Sequence, residues 1–402
     1  MAKYEKLEII SYNDSSNYSK IYEQRVSSFG TIQTDLKIKG FLRRGKTKDI
    51  FSLFYVIRPD VLKTIETILQ NSKKISDIAR DLPTVARENF ELAQIIDEIQ
   101  NSNEIEGVRS TKKEISETAQ NKQGRFWGII KQYLNFDIET TETLKDVAGY
   151  RKLFDLLFVK DFKSSDLPDG ALFRKDKVYI NNEIGTKIIH IGDETESDIM
   201  SDLSSLADFM KQQELPFLIK ILISHYYFEY IHPFYNGNGR MGRFLVSSYL
   251  ARKLDRYTGF IFSTAVRQQK KKYLKAFEYV QHPKNRGEIT FFVNDLLHII
   301  EESQAIVIEE LIQMTYKLDN SYAKIMSLKD TSVMENKILF ILSQNDMFSN
   351  RKLKAYIDLP EILEVSKYTI KKALTSLENK AYVEKTDKNP VVYHLSNFFD
   401  CL

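Results

Sequence analysis

Residues Leu218 to Ile231 are apolar on nearly every side of a helical wheel, broken only by Lys220, Ser224, His225 and Glu229. A helix that is oily all round has to be wrapped by other elements, so this segment predicts the central buried helix of a packed domain. At 402 residues, and with about 150 residues per domain as the usual scale, the chain divides into two to three such domains. Elsewhere the pattern is helical beyond Ile50, with only eight prolines in the chain, which predicts a mainly α protein.

Composition narrows the function classes. Lys plus Arg number 58 against 55 Asp plus Glu, a net charge of +3, too small for a surface that neutralises phosphates over its whole extent. Nucleic-acid binding must then be local. The one cysteine, Cys401, permits neither an intrachain disulfide nor a thiolate metal cluster, and a reducing, cytoplasmic setting is expected. Neither a signal-peptide core nor a run of about 20 apolar residues is present, so no membrane partner is expected.

The central helix runs into His232-Pro233-Phe234-Tyr235-Asn236-Gly237-Asn238-Gly239-Arg240-Met241-Gly242-Arg243, and a second apolar helix starts around Arg240. Gly237 and Gly239 let the backbone turn through positive φ and approach a ligand closely. The free N–H groups that open the next helix then form an anion nest with the positive end of its dipole. Arg240 and Arg243, three residues apart, share one side of that first turn and suit phosphate oxygens. His232, fixed by Pro233 beside the nest, is placed to take a proton from an incoming hydroxyl.

These residues resemble the Fic family, whose core motif reads His-Pro-Phe-x-Asp/Glu-Gly-Asn-Gly-Arg-x-x-Arg, matched here at every fixed position but one. The segment His225 to Ile231 is similar to the helix that precedes the motif in that family. The resemblance implies a Fic-type helical core that transfers AMP from ATP to a Ser, Thr or Tyr hydroxyl of a protein, itself included. By that analogy His232 is the base. Gly237, Asn238 and Gly239 shape the nest, while Arg240 and Arg243 hold the β- and γ-phosphates. Asn236 stands where most members have a Mg²⁺-binding carboxylate; an amide oxygen can ligate a hard cation but lacks the charge, so the ion would lean on phosphate oxygens and water. Gly239 separates the chain from the related death-on-curing kinases, which carry Lys there. Ser263, Arg267 and Tyr273 fall where the family lines its nucleotide pocket, and Tyr273 would stack on adenine.

Two further segments extend the likeness. Leu92, Ile95, Ile96 and Ile99 make an apolar stripe on a helix over 88–107. Its end, Ser102-Asn103-Glu104-Ile105-Glu106-Gly107, resembles the family's inhibitory signature Ser/Thr-x-x-x-Glu-Gly/Asn. The implied brake is competition, with Glu106 occupying the guanidinium of Arg243 that the γ-phosphate needs. In some relatives the same glutamate helps remove the modification, so de-AMPylation is an alternative activity. A hairpin is expected with strands at Ala171–Arg174 and Val178–Ile180; over about 171–191 it resembles the flap that clamps a target segment, with Phe173, Val178 and Ile180 gripping the chain.

After residue 318 the texture becomes polar and then compact again. Helices over Met334–Leu342, Arg351–Ile357 and Ser366–Asn379 followed by strands 382–385 and 391–395 resemble a winged helix-turn-helix domain. Tyr368, Lys371 and Lys372 are its candidate DNA-facing residues, yet residues 331–402 hold ten Lys/Arg against nine Asp/Glu, far from a strongly basic stripe. Protein docking or support of a homodimer is the competing role. The expected division is an N-terminal arm and helices over 1–87, with residues 1–45 only partly ordered, then a catalytic core over 88–318 and a winged domain over 319–402. The rival to the enzyme is a nucleotide-sensing regulator with little transfer activity.

Overall fold

A computed structural model describes residues 4–42, 45–136, 145–182, 184–348, 353–388 and 390–396. Arg351 and Cys401, which figure in the sequence reading, lie outside the described residues. Two compact units form, the first from Met1–Lys73 with Asp97–Ala305, the second from Lys74–Ile96 with Ile306–Leu402. The protein is mainly helical, with three two-stranded antiparallel hairpins among the described residues.

The first unit begins with α1 (Leu7–Asn13), α2 (Tyr18–Val26), and a hairpin of β1 (Thr31–Leu42) and β2 (Gly45–Val56). Residues 4–42 are thus folded structure, not the partly ordered arm expected from their polar composition. The signal was present as a period of two: Thr34, Leu36 and Ile38 are buried while Asp35, Lys37 and Lys39 face solvent. α3 (Pro59–Asp81) and α4 (Thr84–Ile105) follow, then α5 (Lys112–Asn121), α6 (Trp127–Leu134) and α7 (Val147–Phe158).

β3 (Tyr179–Asn181) and β4 (Ile188–Ile191) form the second hairpin. Its first strand lies later than the sequence suggested, because 171–174 does not enter a ladder. The N–H groups of Ala171, Leu172 and Phe173 instead wrap the Glu196 carboxylate at 3.0, 2.7 and 2.8 Å, at the first turn of α8 (Glu196–Lys211).

α9 (Phe217–Ile231) is the central helix, packed by α8 and by α10 (Asn238–Lys253). Lys220, its one basic residue, is buried and donates its ammonium to the Met210 and Gln212 carbonyls at the end of α8. That is how a charge survives on a wrapped helix. α11 (Arg256–Phe260), α12 (Phe262–Gln268), α13 (Lys270–Val280) and the start of α14 (Thr290–Met326) complete the shell.

In the second unit, α15 (Val333–Phe348), α16 (Asp358–Leu363), α17 (Lys367–Asn379), β5 (Val383–Lys388) and β6 (Val391–Leu395) surround Leu339, Leu342, Leu359, Leu374 and Tyr393. α16 falls at 358–363, not 351–357 as the sequence suggested. Ser366 caps α17, its hydroxyl accepting the Thr369 N–H at 3.2 Å. The core is not closed by 319–402 alone: Val85 packs against it, and the Ala86 N–H donates to Gln344 at 3.1 Å.

Candidate active site

The loop between α9 and α10 is held by its own side chains. α9 ends on His232 in the left-handed conformation (φ 53°, ψ 62°), and Gly237 turns at φ 88° to start α10. Asn238 spends its amide on the loop: Nδ2 donates to the Phe234 carbonyl at 2.8 Å and Oδ1 accepts the Phe234 N–H at 3.0 Å. Phe234 is buried and stacks on Phe154 at 3.9 Å, which anchors the loop to α7. No side chain caps α10, so its first-turn N–H groups open toward the loop as the expected nest.

Both arginines of that turn are buried. Arg240 lies over Phe158 and Phe162, at 4.7 and 5.1 Å from their centroids, with one long contact from Nη1 to Asn103 (3.5 Å) and no partner for Nε. Burial lowers its pKa to about 10. Arg243 is gripped on three nitrogens by the end of α4. Nε donates to the Ser102 hydroxyl (3.1 Å), Nη2 to the Ser102 carbonyl (3.0 Å), and Nη1 pairs with Glu106 Oε1 (3.0 Å). Burial opposes its charge, but the Glu106 carboxylate holds the guanidinium above its ordinary range. The pairing expected from the signature is therefore present. Gly239 makes it feasible, since a Cβ there would overlap the Glu106 carboxylate. Gly107 turns at φ 70° just beyond α4, and the Val108 N–H closes onto the Asn103 carbonyl at 2.9 Å.

The rest of this docking was invisible in the sequence. Glu98, two turns before Glu106, is fully buried and accepts the N–H groups of Ser263 (2.8 Å) and Thr264 (3.1 Å) and the hydroxyl of Ser247 (3.0 Å). Burial raises its pKa to about 7 against those hydrogen bonds. Asn101 donates to Thr264 at 3.1 Å, and Arg267 pairs with Glu104 at 3.0 Å. Ser263 and Arg267 thus face α4. A lone Glu in an apolar stripe carries no sequence signal of its partners.

A cavity of about 150 Å³ is lined by Glu106, Ile180, His190, His232, Arg243 and Tyr273, with Gly239 and Phe277 also in its wall. Tyr273 is buried, and its hydroxyl meets His225 Nε2 at 2.8 Å. Ile180 borders the cavity, and Val178, two residues earlier, is half-buried. Phe173 is fully buried against Phe234, outside the hairpin, so it is a core residue and cannot grip an external chain. Glu229, on α9 in the cavity wall, has one carboxyl oxygen without a partner; burial, then the Glu106 charge, pushes its pKa up to about 8.

His232 faces this cavity. Burial, followed by the nearby His190 and Arg174, pushes its pKa down to about 3, so the imidazole is unprotonated at neutral pH. Its Nδ1 lies 3.4 Å from the Glu229 carbonyl. Asn236 is exposed at the loop tip. Among the described residues no cluster of three His, Cys, Asp or Glu side chains is arranged for a metal. Mg²⁺ in nucleotide sites is commonly held by one or two protein oxygens plus phosphates, a donor set that the Asn236 amide fits in number but not in charge. No described helix is long and apolar enough to cross a membrane.

Fold and site together define a helical protein built around an uncapped, arginine-lined helix start with a neutral histidine beside it. Residues 154–250 match the Fic/DOC family model, a span that includes the whole loop. Domains of this family generally transfer AMP or other nucleotide groups to proteins. Similar solved structures include a Fic family protein from Desulfovibrio desulfuricans (19% identity, 85% of this chain and 98% of that one, TM-score 0.48). A Fic-domain signalling protein from Bacteroides thetaiotaomicron matches at 18% identity over 61% of this chain and 97% of its own, TM-score 0.44. A fragment of Fic-1 from C. elegans matches at 13% identity over 77% and 80%, TM-score 0.46.

Proposed function

We propose that this protein transfers AMP from ATP to a Ser, Thr or Tyr hydroxyl of a protein and is held back by Glu106. The observation that carries the reading is the start of α10, which is uncapped and flanked by two buried guanidinium groups, one with an unpartnered Nε and one occupied by a carboxylate. A triphosphate supplies the acceptor that Arg240 lacks and an oxygen to take the place of the Glu106 carboxylate on Arg243. His232 accepts the proton of the target hydroxyl as its oxygen bonds to the α-phosphorus, and pyrophosphate leaves. Mg²⁺, where bound, would neutralise phosphate charge next to Asn236. The target segment would lie along β3–β4, with Val178 and Ile180 beside it.

Incubation with labelled ATP tests this. Label attached covalently to protein and lost in His232→Ala supports the transferase; nucleotide that binds without attachment refutes it. That second outcome favours a nucleotide-sensing regulator, a reading that the neutral Asn236 supports. Running GTP, CTP and UTP alongside reads the base preference. The C-terminal unit, read as a winged helix, would dock duplex DNA or a protein through α17, where Tyr368 is 77% exposed and Lys371 and Lys372 are exposed beside it.

A further inference from the structure

Arg174 is fully buried just before the β3–β4 hairpin, and among the described residues no carboxylate forms an ion pair with it. All its hydrogen bonds go to backbone carbonyls: Nε to His232 at 2.8 Å, Nη2 to Ile231 at 3.3 Å and Nη1 to Asp176 at 2.7 Å. Its own N–H reaches the Pro233 carbonyl at 3.3 Å. One residue therefore engages three consecutive carbonyls where α9 ends and the chain turns left-handed, a place where helix carbonyls otherwise lack partners.

The far end of the hairpin closes on the same spot. The Gly192 N–H donates to the Val178 carbonyl at 3.1 Å, and the Asp193 N–H donates to the Ile231 carbonyl at 3.0 Å. A Cβ on Gly192 would lie 2.5 Å from Arg174 Nη2 and 3.0 Å from His232 Cβ. The entering and leaving strands are both fastened to the end of α9, and the guanidinium fills the space between them.

We propose that Arg174 is a positioning residue that fixes the His232 imidazole and fastens it to the base of the hairpin, so that a chain lying on the hairpin meets the base at a set distance. The proposal rests on the reading of His232 as the base. The groups facing His232 are His190 on β4, Arg174 before β3, Glu106 just beyond α4, Glu229 on α9 and Arg243 on α10. Arg174 contributes positive charge that opposes imidazole protonation. Its removal therefore acts on the titration of the base as well as on its position.

The test uses the full-length protein carrying Glu106→Gly, with ATP labelling rates from about pH 3 to 9, a range that spans the His232 titration, for Arg174→Gln, Arg174→Lys and Gly192→Ala. Arg174→Gln is expected to lower kcat by about 10²-fold, the usual scale for a misplaced catalytic group, with the KM for ATP within about threefold. Its acid limb should move to higher pH. Arg174→Lys keeps the charge, so its pH profile should match the parent while kcat falls between the two. Gly192→Ala leaves Arg174 in place and crowds it, which should lower kcat without moving the profile. Parent kcat and profile in Arg174→Gln overturn the proposal. So does parent kcat in Gly192→Ala, which decides the matter should Arg174→Gln fail to fold. Titration of the His232 ¹³Cε1 resonance, assigned by its loss in His232→Ala, follows the imidazole independently of transfer. Equal labelling by the parent and His232→Ala would instead refute the base reading itself.

Discussion

Replacing Glu106 by glycine removes one contact, the 3.0 Å pair between its Oε1 and Arg243 Nη1, and leaves Ser102 holding the other two nitrogens. The guanidinium should therefore stay in place with one face open to a phosphate. A hydrogen bond to a charged group contributes about 1.5–3 kcal/mol, equivalent to about 10- to 150-fold in an equilibrium. Glu106 is 34% exposed, so solvent screening places the effect near the lower limit. The expected result is about a tenfold rise in the initial rate of labelling at ATP well below KM. Glu106→Gln keeps the shape and a neutral acceptor, and neutral hydrogen bonds are roughly half as strong, so it should give an intermediate gain. The decisive assay is a double-mutant cycle with Arg243→Ala. If the gain from Glu106→Gly survives in the Arg243→Ala background, or is absent from the folded single variant, competition for the guanidinium is wrong.

Asn236→Asp should raise Mg²⁺ affinity or turnover, and superimposable Mg²⁺ titrations of the two forms would remove the idea that charge is missing at the loop tip. Glu229 has a folded pKa near 8, raised by burial above its ordinary 4.5. The folded chain thus binds the extra proton, and this contribution to stability is full below about pH 4.5 and lost as pH rises through 8. Glu229→Gln should flatten that part of the fall in Tm between pH 5 and 8. Glu98→Ala leaves the Ser263 and Thr264 N–H groups unsatisfied, at about 1–3 kcal/mol each, and should lower Tm by several degrees in a thermal melt. A triple Tyr368→Ala, Lys371→Ala, Lys372→Ala change in the full chain should abolish any low-salt shift of duplex DNA; an unaltered shift would exclude α17 as the contact.

The sequence by itself determined the parts whose chemistry is local. An oily helix must be buried, glycines must turn a loop, and two arginines three apart must share a helix face. From these the central α9 and the nest were legible, while the pairing partner of Glu106 followed from the resemblance of residues 102–107 to the family's inhibitory signature. So was the period of two in β1, although the polar composition around it masked the strand. What only tertiary structure decided were the partnerships between distant residues. The strand expected at 171–174 gave way because Glu196, more than twenty residues on, gathers its N–H groups. Glu98 is an ordinary helix glutamate until α12 presents two free N–H groups to it. Arg174 reads as the last residue of a strand until the end of α9 offers it carbonyls that the helix itself cannot satisfy. Hydrogen-bonding groups left over at element ends must find partners, and which residue supplies them depends on what the packing of apolar faces brings near.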